Sequence, residues 1–288
     1  MIISNTPQAP FFLNVGGQLI DFATPKVMGI MNVTPDSFVP GSRTFDADSI
    51  AKRLHEILDQ GADIIDIGGY SSRPGADDIS PDEEYSRLAR GLEIIRREAP
   101  EAIISVDTFR ASVARKCVEE WGVGIINDIS GSDLDPEMAE TVADLRVAYI
   151  LMHMRGTPAT MQSLTDYSDV TAEVLEHIAR RVDHLHSLGV NDIIIDPGFG
   201  FAKTIDQNYR LLDELAIFRT LGLPLLAALS RKSMIWRPLG ISPDEAGEGT
   251  IVLDTVALLH GADIIRVHDV KAARQTVRLL SLLRENSK

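Results

Sequence analysis

The chain has 288 residues, 44% of them hydrophobic and 24% charged, with a net charge of −14. That length supports a substantial core in one large α/β domain or two small ones, and the acidic balance argues against a nucleic-acid binder, which carries a basic stripe. Cys117 is the only cysteine, which excludes an internal disulfide, no apolar stretch is long enough to span a membrane, and no signal pattern opens the chain; a reducing cytoplasm is expected.

Residues 11–24 read as a β-hairpin: apolar Phe11–Val15, a Gly16-Gly17 turn, then Leu19–Phe22. Eight short apolar runs follow, and most end on a polar residue. Val27–Met31 runs into Asn32, Ile64–Ile67 into Gly68-Gly69, Ile103–Val106 into Asp107, and Val123–Ile126 into Asn127. Val147–Met152 runs into His153, Ile193–Ile195 into Asp196, Leu225–Leu229 into Ser230-Arg231-Lys232, and Ile264–Val267 into His268. A helical pattern follows each run: 49–60, 81–98, 111–120, 136–144, 170–188, 205–221, 250–260 and 271–283. Asp46 and Asp48 precede the first helix, and Gly61 and Gly189 close the first and fifth. Alternation of this kind implies a parallel sheet, and eight units in this length favour a single (β/α)8 barrel, a TIM barrel, over an open sheet. Its N-terminal hairpin is expected to close the bottom, which divides the chain into residues 1–24 and a barrel of residues 25–288. Connections 33–48, 68–80 and 230–248 are long enough to be functional lids.

In such a barrel all the strand ends point at one mouth. Asn32, Asp107, Asn127 and Asp196 sit at these ends, where carboxylates and carboxamides can read the edge of a flat heterocycle. Each, taken alone, could instead cap the following helix. Arg73, Lys203, Arg231, Lys232 and Arg266 lie near strand ends and could gather around a small anion. Arg266 and His268 are two apart in a strand and point the same way, which suits phosphate. Asp269 reads as the opening of the last helix. Asp196-Pro197-Gly198-Phe199-Gly200-Phe201 lacks dinucleotide-loop spacing but permits a tight turn, with Phe201 either in the core or packed on a planar ring. Lys232 in Ser230-Arg231-Lys232-Ser233 is either a ligand contact or a solvated charge. His177, His184 and His186 share one helix and read as solvated. Zinc spacing and covalent-nucleophile motifs are missing, whereas Mg2+ needs only one or two protein oxygens, and Asn32 could supply one.

The motifs together resemble dihydropteroate synthase, the sulfonamide-target family of folate synthesis, from Met28 to about Lys271. The resemblance is carried by Met28–Phe38, Ser71–Ala76, Ser105–Thr108, Ile126–Ile129, Met152–Met154, Asp196–Phe201, Ser230–Ser233 and Arg266–Asp269. It implies a homodimeric transferase that joins 6-hydroxymethyl-7,8-dihydropterin diphosphate to 4-aminobenzoate, with Mg2+ assisting. By motif, Asp107, Asn127, Met152, Asp196, Phe201 and Lys232 would hold the pterin. Asn32, Arg266 and His268 would meet the diphosphate, Asn32 beside the metal, and these three with Lys232 would form the catalytic set. Phe38, Ser72, Arg73, Pro74 and Ser233 would receive 4-aminobenzoate. Tyr70, Ser72, Val39-Pro40-Gly41-Ser42, Ala228 and Trp236 depart from the commonest family pattern. A non-catalytic pterin binder and a methyltransferase using a methylated folate are the competing readings.

Overall fold

The computed structural model describes residues 11–34, 47–71 and 78–286. Phe38, Ser72, Arg73 and Pro74, expected around 4-aminobenzoate, lie outside the described residues.

The chain opens with the expected hairpin, β1 (Phe12–Val15) antiparallel to β2 (Gln18–Asp21). Eight parallel strands follow: β3 (Lys26–Asn32), β4 (Ile64–Gly68), β5 (Ile104–Asp107), β6 (Ile125–Asp128), β7 (Ala148–Met152), β8 (Ile193–Asp196), β9 (Leu226–Ala227) and β10 (Ile264–Val267). The ladder runs β8-β7-β6-β5-β4-β3-β10-β9, and an isolated parallel bridge from Ile195 to Leu225 joins its two ends into a barrel. The helices are α1 (Ala47–Asp59), α2 (Pro81–Glu98), α3 (Ala111–Trp121), α4 (Met138–Leu145), α5 (Val170–Ser187), α6 (Ile205–Asp213), α7 (Ser233–Leu239), α8 (Gly247–Leu259) and α9 (Val270–Glu285).

The period-two alternation of a strand sorts each apolar run into two cores. Ile65, Ile67, Ile126, Ile193, Ile195, Ile265 and Val267 face outward into the shell between strands and helices. Their neighbours Ile64, Ile125, Ile194 and Ile264 face the barrel interior, where Leu13, Val15, Ile20 and Phe22 of the hairpin join them. The hairpin therefore fills the end from which the strands start. Fully burying an aliphatic side chain of this size stabilises the fold by about 2 kcal/mol, so the plug contributes materially to the fold.

Three expectations need correction. The single helix expected over 205–221 breaks at Glu214, and residues Leu215–Leu221 form a 3-10 helix. The connection 230–248 contains α7 and a 3-10 turn at Pro243–Glu245. The seventh run, five apolar residues long, supplies only the two-residue β9.

Candidate active site

The interior positions change chemistry over one step of two residues. Ile64 is followed by Asp66, Ile125 by Asn127, Ile194 by Asp196 and Ile264 by Arg266. Cross-strand register lines up Asn32, Gly68, Asp107 and Asn127 on one rung across β3, β4, β5 and β6. On the next pair of strands Met152 stands beside Asp196. The strand ends thus gather the expected residues into one mouth.

Asp107, Asn127 and Asp196 do not occupy N-cap positions. The N-cap positions of α3, α4 and α6 are Arg110, Glu137 and Thr204, and Thr204 closes a capping box with Gln207. The capping reading of Asp107, Asn127 and Asp196 is thereby excluded.

Arg266 organises the rung. Its Nε donates to Asp66 Oδ2 at 2.5 Å and its Nη2 to Asp107 Oδ2 at 2.7 Å, while Asn127 Nδ2 donates to Asp66 Oδ2 at 3.2 Å. Burial works against the guanidinium charge, but the carboxylates of Asp66 and Asp107 outweigh it and hold Arg266 protonated. Burial pushes the Asp107 carboxyl up to about 7, with Arg266 opposing and Asp66 reinforcing. The Asp107 side chain is 24% exposed, whereas that of Asp66 is fully buried. Asp66 is the site residue that motif reading missed. The second run does not lack a polar group: it carries one inside, and a carboxylate within Ile-Ile-Asp-Ile was the available signal.

Asp196 Oδ1 accepts the Gly198 N–H at 2.7 Å, and burial raises its pKa, with Lys232 opposing. Gly198 is required here: its φ is +73°, and a Cβ would stand 2.0 Å from the His153 carbonyl oxygen. Phe199 is buried in the core, whereas Phe201 is half-buried beside the mouth cluster of Ile129, Met152, Met154, Met161 and Ala202. Lys232 is not a solvated loop charge. Its ammonium lies 4.9 Å from the centre of the Phe201 ring and donates to the Phe199 carbonyl. Burial lowers its pKa to about 8 against the pull of Asp196. Ser233 follows as the first residue of α7 and is half-buried.

His268 Nδ1 lies 2.9 Å from Ser230 Oγ, which also accepts the His268 backbone N–H at 3.2 Å. Burial, then Arg266 and Arg231, press its pKa down to about 4, so the ligand-free imidazole is neutral at pH 7. The Asn32 carboxamide makes no hydrogen bond to another described residue. A Cβ on Gly68 would stand 3.5 Å from Asn32 Oδ1 and 3.5 Å from Asp107 Cβ, so the glycine keeps open the space between them.

Two of the expected cations do not join this cluster. Arg231 turns away to an ion pair with Asp269 at 3.1 Å, which leaves Asp269 at the start of α9 without a side-chain cap. Lys203 is buried behind the β8–α6 turn. His177 is not solvated but lies edge-on to His153, ring centres 4.9 Å apart; His184 and His186 are exposed. Cys117 is buried, and burial pushes its thiol pKa up, which suits a small hydrophobe.

Residues 28–268 match the family described as pterin binding enzyme. A dihydropteroate synthase of Synechocystis sp. is 42% identical over 275 residues, covering 94% of each chain. The dihydropteroate synthase of Xanthomonas albilineans, solved with 4-aminobenzoic acid, superposes with a TM-score of 0.88 at 34% identity, covering 96% of this chain and 99% of that one. The Yersinia pestis enzyme, solved as a sulfonamide drug complex, gives 0.89 at 34% identity, covering 96% and 100%. The chain belongs to the dihydropteroate synthases of the pterin-binding enzyme family.

Proposed function

We propose that the protein condenses 6-hydroxymethyl-7,8-dihydropterin diphosphate with 4-aminobenzoate, giving 7,8-dihydropteroate and pyrophosphate. The observation that carries this reading is the mouth itself. Asp66, Asp107, Asn127 and Asp196 present acceptors and a carboxamide around one apolar-walled opening, and Arg266 is held among them. A flat heterocycle rich in N–H groups suits the Asp107, Asn127 and Asp196 edge, with Met152 and Phe201 on its faces and Lys232 beside it. Buried polar groups of this kind discriminate strongly, because the wrong ligand leaves them unpaired.

The chemistry asks for charge stabilisation and no enzyme nucleophile. As the C–O bond to diphosphate breaks, the pair leaves with the diphosphate and positive charge spreads from the methylene into the pterin ring. Arg266 offers a guanidinium pre-set by two carboxylates, and neutral His268 offers a hydrogen bond if Ser230 fixes its tautomer with Nε2–H outward. The arylamine nitrogen then bonds to the methylene carbon and loses one proton. Phe38, Ser72, Arg73, Pro74 and Ser233 are the proposed 4-aminobenzoate contacts.

Asn32 and the space kept open by Gly68 fit Mg2+, a hard cation that takes a carboxamide oxygen together with substrate phosphate oxygens. Bound there, it would neutralise charge building on the leaving diphosphate. A homodimer is supported by exposed Ile251, Val252 and Leu259 on α8 beside exposed Leu279, Leu282 and Leu283 on α9. Among the described residues no helix is long and apolar enough to cross a membrane, and the lone buried Cys117 thiol suits a reducing cytoplasm.

The test is a pyrophosphate-release assay with Mg2+ and both substrates, run with and without 4-aminobenzoate, and product identified by mass. Dihydropteroate formed only with both substrates is expected. Pterin binding without turnover would leave the non-catalytic reading standing.

A further inference from the structure

We propose that Lys203 is a positioning residue of the pterin site, an ammonium buried behind the β8–α6 turn that fixes the turn's backbone and so aims the Asp196 carboxylate and the Phe201 ring. The inference rests on the pterin reading of that turn.

Lys203 is buried, and its ammonium is turned to backbone carbonyls behind the turn rather than to the mouth. Its Nζ donates to the Gly198 carbonyl at 2.9 Å and the Phe201 carbonyl at 3.0 Å, and it lies 3.0 Å from His153 Nδ1. An ammonium has three N–H groups, and three acceptors stand around this one. His153 Nδ1 must then accept. That matches an imidazole kept neutral by burial first and by the charges of Lys203, His177 and Arg155 next. The connection to the mouth is direct, because Gly198 accepts from Lys203 through its carbonyl and donates to Asp196 Oδ1 through its N–H.

The turn needs such a brace. Its backbone enters the left-handed region at Gly198, Gly200 and Ala202, the last at φ +50° with a side chain that disfavours it. Strain of this kind persists only when the surroundings over-determine it. Two lysines supply the constraint from opposite sides. Lys232 grips the Phe199 carbonyl from the mouth, and Lys203 grips Gly198 and Phe201 from behind. His153 anchors the rear lysine to the end of β7. Its neighbour Met152 faces the mouth, while His153 packs against His177 and Tyr167.

The decisive variants are Lys203→Met, which keeps length and removes the donors, and the pair His153→Asn and His153→Leu, of which only the first retains an acceptor. Assays run well below each melting temperature should show the KM for pterin diphosphate of Lys203→Met raised about tenfold or more, the effect of losing one or more buried charge-assisted hydrogen bonds, with the KM for 4-aminobenzoate unchanged. Burial lowers the Lys203 pKa well below its ordinary value, with Asp196 opposing and Lys232 and Arg155 reinforcing, and the three acceptors around Nζ are what favour the ammonium. In the ligand-free protein, amide exchange over residues 197–204 should accelerate. His153→Leu should move the same quantities in the same direction, and His153→Asn should restore them. If Lys203→Met does not fold, the His153 pair decides. Unchanged KM values and exchange in an active protein overturn the inference alone, as does a lowered melting temperature with both KM values rising together. A wild-type protein that neither turns over nor binds pterin overturns the functional reading, and this inference with it.

Discussion

The barrel interior is built twice from the same strands, apolar toward the hairpin and polar toward the mouth, and the two halves fail differently. Ile64, Ile125, Ile194 and Ile264 pack against Leu13, Val15, Ile20 and Phe22. One step higher, Arg266 and Asn127 donate to Asp66, and Asp196 accepts from the Gly198 backbone. The lower half stabilises through transfer of apolar surface, which tolerates small shape changes. The upper half holds charges whose desolvation is offset only by mutual pairing, so removal of one partner strands another. Stability is concentrated below and recognition above.

Arg266→Ala should break this division most severely. It leaves the Asp66 carboxylate buried without its cation and with only the Asn127 amide as partner, and we expect a loss of about 3–5 kcal/mol of stability together with loss of turnover, measured by urea unfolding and the pyrophosphate assay. An intermediate result confined to activity would show that the mouth is wetter than its burial indicates. Lys232→Ala and Asp196→Ala should lower kcat/KM for pterin diphosphate by about 10²–10³, with stability changing far less than in Arg266→Ala. Unchanged kinetics in both would remove the roles assigned to this turn. In the lower half, Phe22→Ala should cost about 3 kcal/mol of stability and leave both KM values alone; a selective change in either KM would mean that the plug and the mouth are coupled.

Two titrations sharpen the contrast further. Asp107 is protonated below about 7 and ionised above it. The kcat/KM for pterin diphosphate should therefore rise with pH through that region, and Asp107→Asn should abolish the limb. A limb that survives the substitution belongs to another group. Asp254 on α8 lies in the outer shell with its Oδ1 unpartnered, and burial raises its pKa well above the usual carboxylate value. A raised folded-state pKa destabilises increasingly as pH climbs past the unfolded value near 3.8. Asp254→Ala should accordingly be more stable than the wild type by about 1 kcal/mol at neutral pH, with the gap closing in acid; a melting series across pH reads it.

Strand and helix order were legible because each apolar run is short, punctuated and followed by a 3.6-residue pattern. The mouth was legible at Asn32, Asp107, Asn127 and Asp196 because a polar residue ending an apolar run is conspicuous. Asp66 escaped because it sits inside its run, and only the inward or outward sense of the strand separates it from Ile65 and Ile67. Lys203 and Lys232 both follow a strand end and precede a hydroxyl residue, yet Lys232 faces the mouth and Lys203 the interior behind it. That choice depends on φ values at Gly198, Gly200 and Ala202, which composition does not encode. The break at Glu214 was hidden for a related reason, since the 3-10 segment keeps buried Leu215 and Phe218 at a spacing that also fits an α-helix.

The barrel's closure has a mechanical consequence. β8 and β9 share no named ladder, only the bridge between Ile195 and Leu225. Asp196 leaves one lip of this seam, and the segment running to Lys232 leaves the other. A pterin gripped by both residues would act as a clasp across the least-laddered joint of the cylinder. Ligand occupancy would then be felt as resistance of the whole wall to being pulled open.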